Sequence, residues 1–403
     1  MRHLLLTEPF FPDIGGSVQL FHEIYTRFPP GELVHVLAGD WPGGRALDRT
    51  YPLPVTRFDH RRYEWMKPES AMLYARLVAY AAAIVVRERI EVVHAGRIIP
   101  EGLVALGLRH TLGVPYVFWV HGEEVSIFMR YAVKARLMKR IFAGARATIA
   151  NSSFSRGKCL EAGAEERKVF VVNPAVTASE YEEPVDVAAA RARFGVEGKT
   201  VLLTVGRLTR RKSHDQVMRA MVSLRTRFPD LVHLVASDGE EKDNLERLHR
   251  ELGLGDRVRF LGPVSRKDIK TLYALCDVFI MANRTLEDGD AEGFGMVFLE
   301  ANASGRPVIG GRSGGAPDAV VDGVTGLLVD GDDVGDIERA IATLVEDEAL
   351  RRRMGEAGRT RARTLTWDAA ARRVRSIAEL GRPSEPSPPL PPGERAGVRE
   401  EDT

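Results

Sequence analysis

The sequence predicts an α/β protein of two doubly wound, Rossmann-like domains facing each other across a cleft. Three observations predict it. Short Val/Ile/Leu-rich runs alternate with longer amphipathic stretches, the alternation restarts after the Pro- and acid-rich stretch Asn173 to Asp186, and glycine-rich turns follow several of the apolar runs. Near-continuous apolar strands are buried on both faces, which is the signature of a parallel sheet covered by helices.

In the first series the expected strands are His3–Thr7, Leu33–Ala38, Val92–Ala95, Tyr116–Val120, Ala147–Ala150 and Val169–Val172. Helical patterns lie between them at Val18–Arg27, Ala71–Arg89, Ile99–Thr111, Ser126–Phe142 and Ser153–Ala162. The second series has strands at Val201–Val205, Val232–Ala236, Val258–Leu261, Val278–Met281, Pro307–Ile309 and Gly326–Val329. Its helices fall at Asp215–Arg227, Glu240–Leu252, Lys267–Leu275 and Met296–Ser304. The expected domains are therefore residues 1–178 and 179–365, followed by a helix, 366–381, that crosses back to the first domain. Trp367 marks a break in the terminal helical pattern, and the Pro-, Ser- and charge-rich tail 382–403 is expected to be disordered.

Composition excludes several classes. With 44% hydrophobic and 28% charged residues the chain is globular. Lys plus Arg (57) nearly balance Asp plus Glu (56), which argues against a nucleic-acid binder. The balance is uneven: residues 1–178 carry 23 basic and 17 acidic side chains, a net of +6, against −5 (34 and 39) for the remainder. Two cysteines, Cys159 and Cys276, rule out a disulfide framework and are expected to be buried and inert. The apolar core of MRHLLLTEPFFPD is too short for a signal peptide, and Ala79 to Val86 is far below a membrane span. A cytoplasmic protein is expected.

The run from Glu292 to Asp330 carries the most chemistry. Glu292 and Glu300 stand eight residues apart, with Gly293, Phe294 and Gly295 at the mouth of the expected helix from Met296. A helix N-terminus offers unpaired N–H groups and the positive end of the dipole, which suits a phosphate. Glycine lets that ligand approach closely. Glu292 can accept from sugar hydroxyls, and Glu300, about two turns further on, can meet a ribose. Gly206-Arg207-Leu208 ends a strand, and Lys212 follows; together the two cations suit a diphosphate leaving group. Gly15-Gly16 opens the first expected helix and would bring the Gly16 amide to the donor phosphate. His121 ends the strand Tyr116–Val120, where a neutral imidazole can bond a sugar hydroxyl or take part in proton traffic. Asp288 and Asp290 form an acidic loop, and with Arg207 and Lys212 supplying the phosphate charge no metal is expected. Ile127 to Arg146 mixes apolar residues with Lys and Arg and no acid: either an ordinary helix with a solvated basic face or a surface meeting anionic lipid.

Together these residues resemble the retaining glycosyltransferases of family 4, which have the two-domain GT-B fold. The likeness covers about residues 1–380 and is strongest in EGFGMVFLEANASGRPVIGG and SGGAPDAV, phrases that look like the mannosyltransferase branch, including phosphatidylinositol mannosyltransferases. Asn302-Ala303-Ser304 departs from the small residues relatives carry there, a change expected to touch packing only. The resemblance implies an acceptor-binding first domain and a donor-binding second domain. It implies that Arg207 and Lys212 bind the donor diphosphate, that Glu292 and His121 contact the sugar, and that Glu300 contacts the ribose. Backbone near Leu261-Gly262-Pro263-Val264 would read the base. The expected activity is hexosyl transfer, mannose or glucose, from a nucleotide-diphosphate sugar such as GDP-mannose or UDP-glucose. The acceptor would be a glycan, a lipid-linked or a small-molecule hydroxyl, with no cofactor and with peripheral contact at the inner face of a membrane through the basic first domain. A nucleotide-sugar 2-epimerase and a non-catalytic sugar-nucleotide binder share the fold and stay open on the residues alone. The implied chemistry is same-face attack aided by domain closure.

Overall fold

The computed structural model describes residues 1–13, 15–60 and 71–384. The expectation of a disordered tail falls, for residues 385–403, outside the described residues. The chain divides into two compact units. The first holds Met1–Ala175, Glu287–Gly293 and the stretch from Leu365, and the second holds Val176–Leu286 and Phe294–Thr364.

The first unit is built on seven parallel strands: β1 (Arg2–Thr7), β2 (Leu33–Gly39), β3 (Val55–Phe58), β4 (Val92–Ala95), β5 (Tyr116–Val120), β6 (Ala147–Ala150) and β7 (Val169–Val171). Their order is β3-β2-β1-β4-β5-β6-β7. The second unit has six: β8 (Thr200–Val205), β9 (Leu231–Ala236), β10 (Val258–Gly262), β11 (Val278–Met281), β12 (Val308–Gly311) and β13 (Gly326–Val329), in the order β10-β9-β8-β11-β12-β13. All pairs are parallel, so both units are doubly wound sheets whose order reverses beside the first strand. The expected α/β fold class is the one observed.

Burial explains the apolar runs. β4, β5, β6 and β11 are buried at every residue, since helices cover both faces. In the first unit Leu4, Leu6, Phe118 and Val120 pack with Leu73, Leu77 and Ile84 of the helix Ala71–Glu88 and with Met138 and Ile141. In the second, Leu202, Val235 and Ile280 pack with Val217, Met218, Met221 and Ile337. Truncating one such Leu or Met to Ala costs about 2–5 kcal/mol.

Helix starts follow the side-chain caps. Ser152, Ser265 and Thr366 accept from the amides of Ser155, Asp268 and Ala369 at the heads of Ser153–Glu161, Arg266–Leu275 and Trp367–Leu380. The Trp367 helix therefore starts afresh after Glu348–Thr364, and it belongs to the first unit.

One expected helix is two. The pattern Ser126–Phe142 divides into Glu123–Met129 and Ala132–Gly144, with Tyr131 extended at φ −115°, ψ 111°. No glycine or proline marks the break, so the apolar periodicity runs across it unbroken. Strand β3 was not expected either. It is an edge strand with Arg57 among its residues, and the buried guanidinium bonds Asp48, the Gly39 carbonyl and the Phe11 carbonyl.

Candidate active site

In the second unit the loop after β8 carries Arg207 and Lys212. Arg207 is exposed; Lys212 is buried and directs its Nζ to the Met281 sulfur at 3.1 Å. Gly206 takes φ 154°, and a Cβ there would meet the Lys212 ammonium at 3.0 Å, so the glycine leaves the room that the cation fills. The loop is fixed from both sides. Thr209 N donates to the Arg207 carbonyl at 2.9 Å, and His214 Nε2 lies 3.4 Å from the same oxygen. Burial, with Lys212 alongside, pushes His214 down to about 4 and keeps it neutral. Leu208 exchanges backbone bonds with Asp238 and Glu241, and a Cβ on Gly239 would fall 2.5 Å from the Leu208 carbonyl. One buried and one exposed cation are thereby held on a short loop at the head of the helix His214–Leu224, an arrangement able to bind a diphosphate.

Gly295 (φ 88°, ψ 62°) heads the helix Met296–Ala303 in a left-handed conformation that favours glycine, and no side chain caps it. Phe294 is buried beside it. The carboxyl ends of β11 and β12 are locked by Asn283, whose Oδ1 accepts from Gly311 N at 3.1 Å and whose Nδ2 donates to the Ser313 carbonyl at 3.0 Å. A Cβ on Gly311 would sit 1.6 Å from the Asn283 carbonyl oxygen, so only glycine fits. Glu300 lies within the helix, and Tyr273 donates to its Oε2 at 2.8 Å; burial pushes its carboxyl up. Val264 is half-buried on the loop between β10 and the helix Arg266–Leu275.

In the first unit His121 leaves β5 and turns at Gly122, where φ is 109° and a Cβ would meet Ser155 Oγ at 2.8 Å. The His121 amide donates to Glu124, and Nε2 lies 3.1 Å from the Gly96 carbonyl. A carbonyl only accepts, so Nε2 carries the proton and Nδ1 is the acceptor. Burial lowers the ring's proton affinity and holds this neutral form. Gly293, counted in this unit, passes so near that a Cβ would stand 2.6 Å from the His121 carbonyl and 2.9 Å from Asn151 Nδ2. Glu292, half-buried, precedes it. Gly16 is exposed at the uncapped start of the helix Gly16–Tyr25.

Of the expected site residues, Gly16, His121, Glu292 and Gly293 fall in the first unit, and Arg207, Lys212, Val264, Phe294, Gly295 and Glu300 in the second. The acidic loop folds on itself, Asp288 accepting from the Asp290 amide at 3.0 Å. Both cysteines are buried, and burial pushes the Cys276 thiol up to about 12. Asn302 is buried, with Nδ2 donating to the Arg306 and Thr325 carbonyls. Asn283 and Tyr273, which the sequence did not single out, are the neighbours that hold Gly311 and Glu300. Asn283 follows an ordinary buried strand, and Tyr273 lies on an ordinary amphipathic helix.

Residues 14–180 match the profile of Glycosyltransferase Family 4, and residues 186–361 that of Glycosyl transferases group 1. The chain is 33% identical over 364 residues to the GDP-mannose-dependent alpha-(1-6)-phosphatidylinositol monomannoside mannosyltransferase of Mycolicibacterium smegmatis, an alignment covering 88% of this chain and 92% of the relative. It is 30% identical over 394 residues to the GDP-mannose-dependent monoacylated alpha-(1-6)-phosphatidylinositol monomannoside mannosyltransferase of Corynebacterium glutamicum, covering 94% and 98%. Among solved structures, Anabaena HepE in complex with UDP superposes with a TM-score of 0.79 over 94% of this chain and 100% of that one, at 23% identity. The two sheets are those of a GT-B enzyme, and the chain belongs to the family 4 glycosyltransferases.

Proposed function

We propose that this glycosyltransferase moves mannose from GDP-mannose to a hydroxyl of a lipid-linked, inositol-containing acceptor, with retention at the anomeric carbon and without a metal ion. The observation that supports the reading is the loop after β8, which carries Arg207 and the buried Lys212, in a chain a third identical to GDP-mannose-dependent enzymes. Arg207, Lys212 and the amides at Gly16 and at Gly293 to Gly295 would take the charge that grows on the diphosphate as it leaves, which is stronger binding of the transition state than of the substrate. Glu292 and the Nδ1 of His121 would accept from the mannose hydroxyls, Glu300 from the ribose, and the chain near Val264 would face the base.

No carboxylate is placed as a nucleophile in this reading. The acceptor oxygen approaches the anomeric carbon on the face from which the diphosphate departs. The carbon–oxygen bond to the phosphate breaks, the new carbon–oxygen bond forms, and the acceptor's proton passes to the departing phosphate oxygen. The two cations already neutralise that phosphate, so a metal has no separate task. The basic, part-apolar helix Ala132–Gly144 supports contact with the inner face of a membrane, where a lipid-linked acceptor would lie.

One experiment series tests this. A thermal-shift panel of GDP-, UDP- and ADP-sugars should give GDP-mannose the largest shift. Incubation of that donor with phosphatidylinositol and its monomannoside should yield an α-linked mannolipid by NMR, undiminished by EDTA. Stabilisation by UDP-sugars alone, a β-linked product or activity abolished by EDTA would each overturn the corresponding part.

A further inference from the structure

The segment that enters the second unit forms a single 3-10 turn, Ala178–Tyr181, and docks on the helix Arg266–Leu275. Glu180 pairs with Arg266 at 3.1 Å and with Lys270 at 3.0 Å. The Tyr181 ring meets Tyr273 edge-on, with centroids 5.9 Å apart and planes at 70°, and Lys270 Nζ stands 5.9 Å over it. Tyr273 donates to the Glu300 carboxylate at 2.8 Å, and the Tyr181 hydroxyl faces the same carboxylate.

We propose that Tyr181 is a positioning residue for Glu300, and that with Tyr273 it holds the carboxylate so that its remaining lone pairs meet a ribose hydroxyl of the nucleotide. The inference rests on the reading of Glu300 as the ribose contact. Burial keeps both phenols protonated, so each can donate to the carboxylate. An ionised carboxylate has about four lone-pair sites, and two phenols leave acceptor capacity for a ligand. A glutamate side chain is otherwise rotationally free, and its ordering opposes binding. Fixing it in advance removes that cost from the binding step. The ion pairs of Glu180 anchor the turn, so the phenol arrives from a backbone that is itself held.

The test is isothermal titration of the full chain with GDP and UDP, across pH, for the wild type, Tyr181→Phe, Tyr273→Phe and Glu300→Gln. Tyr181→Phe keeps the ring and removes one phenol donor facing the carboxylate. It should raise the Kd about tenfold while kcat at saturating donor stays near wild type. The carboxyl of Glu300 faces Tyr181, Tyr273, Arg266 and Glu180. Losing one phenol donor makes it easier to protonate, so the acid-side loss of affinity should move to higher pH, a shift that packing alone would not cause. 2′,3′-Dideoxy-GDP should bind wild type and Tyr181→Phe alike. If Glu300→Gln weakens binding while both tyrosine variants match the wild type in Kd and pH profile, the inference is overturned and the ribose reading stands. If Glu300→Gln itself binds as wild type, the ribose reading fails and the inference falls with it. Tyr273→Phe leaves the linker turn untouched and tests the clamp should Tyr181→Phe fail to fold.

Discussion

Lys212, on the loop after β8, holds its ammonium 3.1 Å from the sulfur of Met281, the last residue of the neighbouring strand β11. A thioether is a weak acceptor, so this contact orients the cation without competing strongly with a phosphate oxygen. Burial sharpens the consequence, since a desolvated cation acts on a phosphate through a lower dielectric than an exposed one. Lys212→Met keeps the stem and the apolar packing and removes the charge. We expect kcat/KM to fall by about 10²–10³, the range for loss of one preorganised donor. The melting temperature reads any accompanying change in stability. Steady-state kinetics beside a thermal melt separate the two effects, and kinetics near wild type would remove Lys212 from the site.

Gly293 and Gly107 predict opposite outcomes for one substitution. A Cβ on Gly293 would be 2.6 Å from a backbone oxygen, that of His121, which cannot rotate away. Gly293→Ala should displace the backbone beside His121, cost about 1–3 kcal/mol and reduce activity more than tenfold. Gly107 lies inside the helix Leu103–Leu112, and a Cβ there meets nothing within 4 Å. Gly107→Ala should stabilise by about 0.5–1 kcal/mol, the helix preference of Ala over Gly, and leave activity intact. Chemical denaturation of both variants checks the contrast; a tolerated Gly293→Ala would show that the segment is free to move.

The sheets were legible because their strands are buried on both faces and therefore apolar throughout, as at Val92–Ala95 and Val278–Met281. The edge strand Val55–Phe58 has one neighbour and carries Arg57, so it lacks that signal. The site's motifs were legible where backbone geometry restricts the residue: only glycine fits at Gly311, and Gly295 takes a left-handed φ. What escaped were contacts distant in sequence. Tyr273 reaches Glu300 from a different helix, and nothing in its local pattern announces the phenol's partner. Asn283 links two strand ends in the same way.

Acid stability should depend on buried neutral histidines. His233 Nε2 meets Thr204 Oγ1 at 2.8 Å, and that hydroxyl donates to the Ile280 carbonyl, so Nε2 carries the proton. Burial pushes His233 down to about 3 and His214 to about 4, while His3 and His94, in contact at 3.1 Å, are also lowered. The unfolded chain takes up these protons near the ordinary value of about 6.5, and the native state does so only at lower pH. Stability is therefore complete above about 6.5 and is lost as pH falls towards the native values, with up to about 1.4 kcal/mol per pH unit for each group. Glu101 and Glu300, raised by burial, act in the opposite sense, so the comparison must be between variants. His233→Gln keeps a donor for Thr204 and cannot titrate. Its melting temperature should fall less steeply than wild type between about pH 6.5 and 5; parallel slopes would mean that His233 titrates normally.

The helix Ala132–Gly144 exposes Lys134, Arg136, Lys139 and Arg140, and Tyr131 and Val133 at its head are 56% and 71% exposed. The Lys134 ammonium stands 4.7 Å over the Tyr131 ring and 5.2 Å over Phe128, so cation and aromatic surface are presented together. Apolar rings beside cations suit the boundary between lipid headgroups and acyl chains. Each basic residue near an anionic surface contributes about 1 kcal/mol. Lys134→Glu, Arg136→Glu and Lys139→Glu combined should therefore reduce partitioning onto phosphatidylglycerol-containing vesicles by at least roughly 100-fold. Wild-type binding should weaken with added salt as the surface charge is screened. Transfer to a vesicle-borne acceptor should fall with binding, whereas transfer to a detergent-dispersed acceptor should persist, because none of the three side chains belongs to the proposed donor site. Co-sedimentation with neutral and anionic vesicles, paired with the two activity assays, measures both. Binding by the triple variant equal to wild type would overturn the assignment of this helix to a membrane surface.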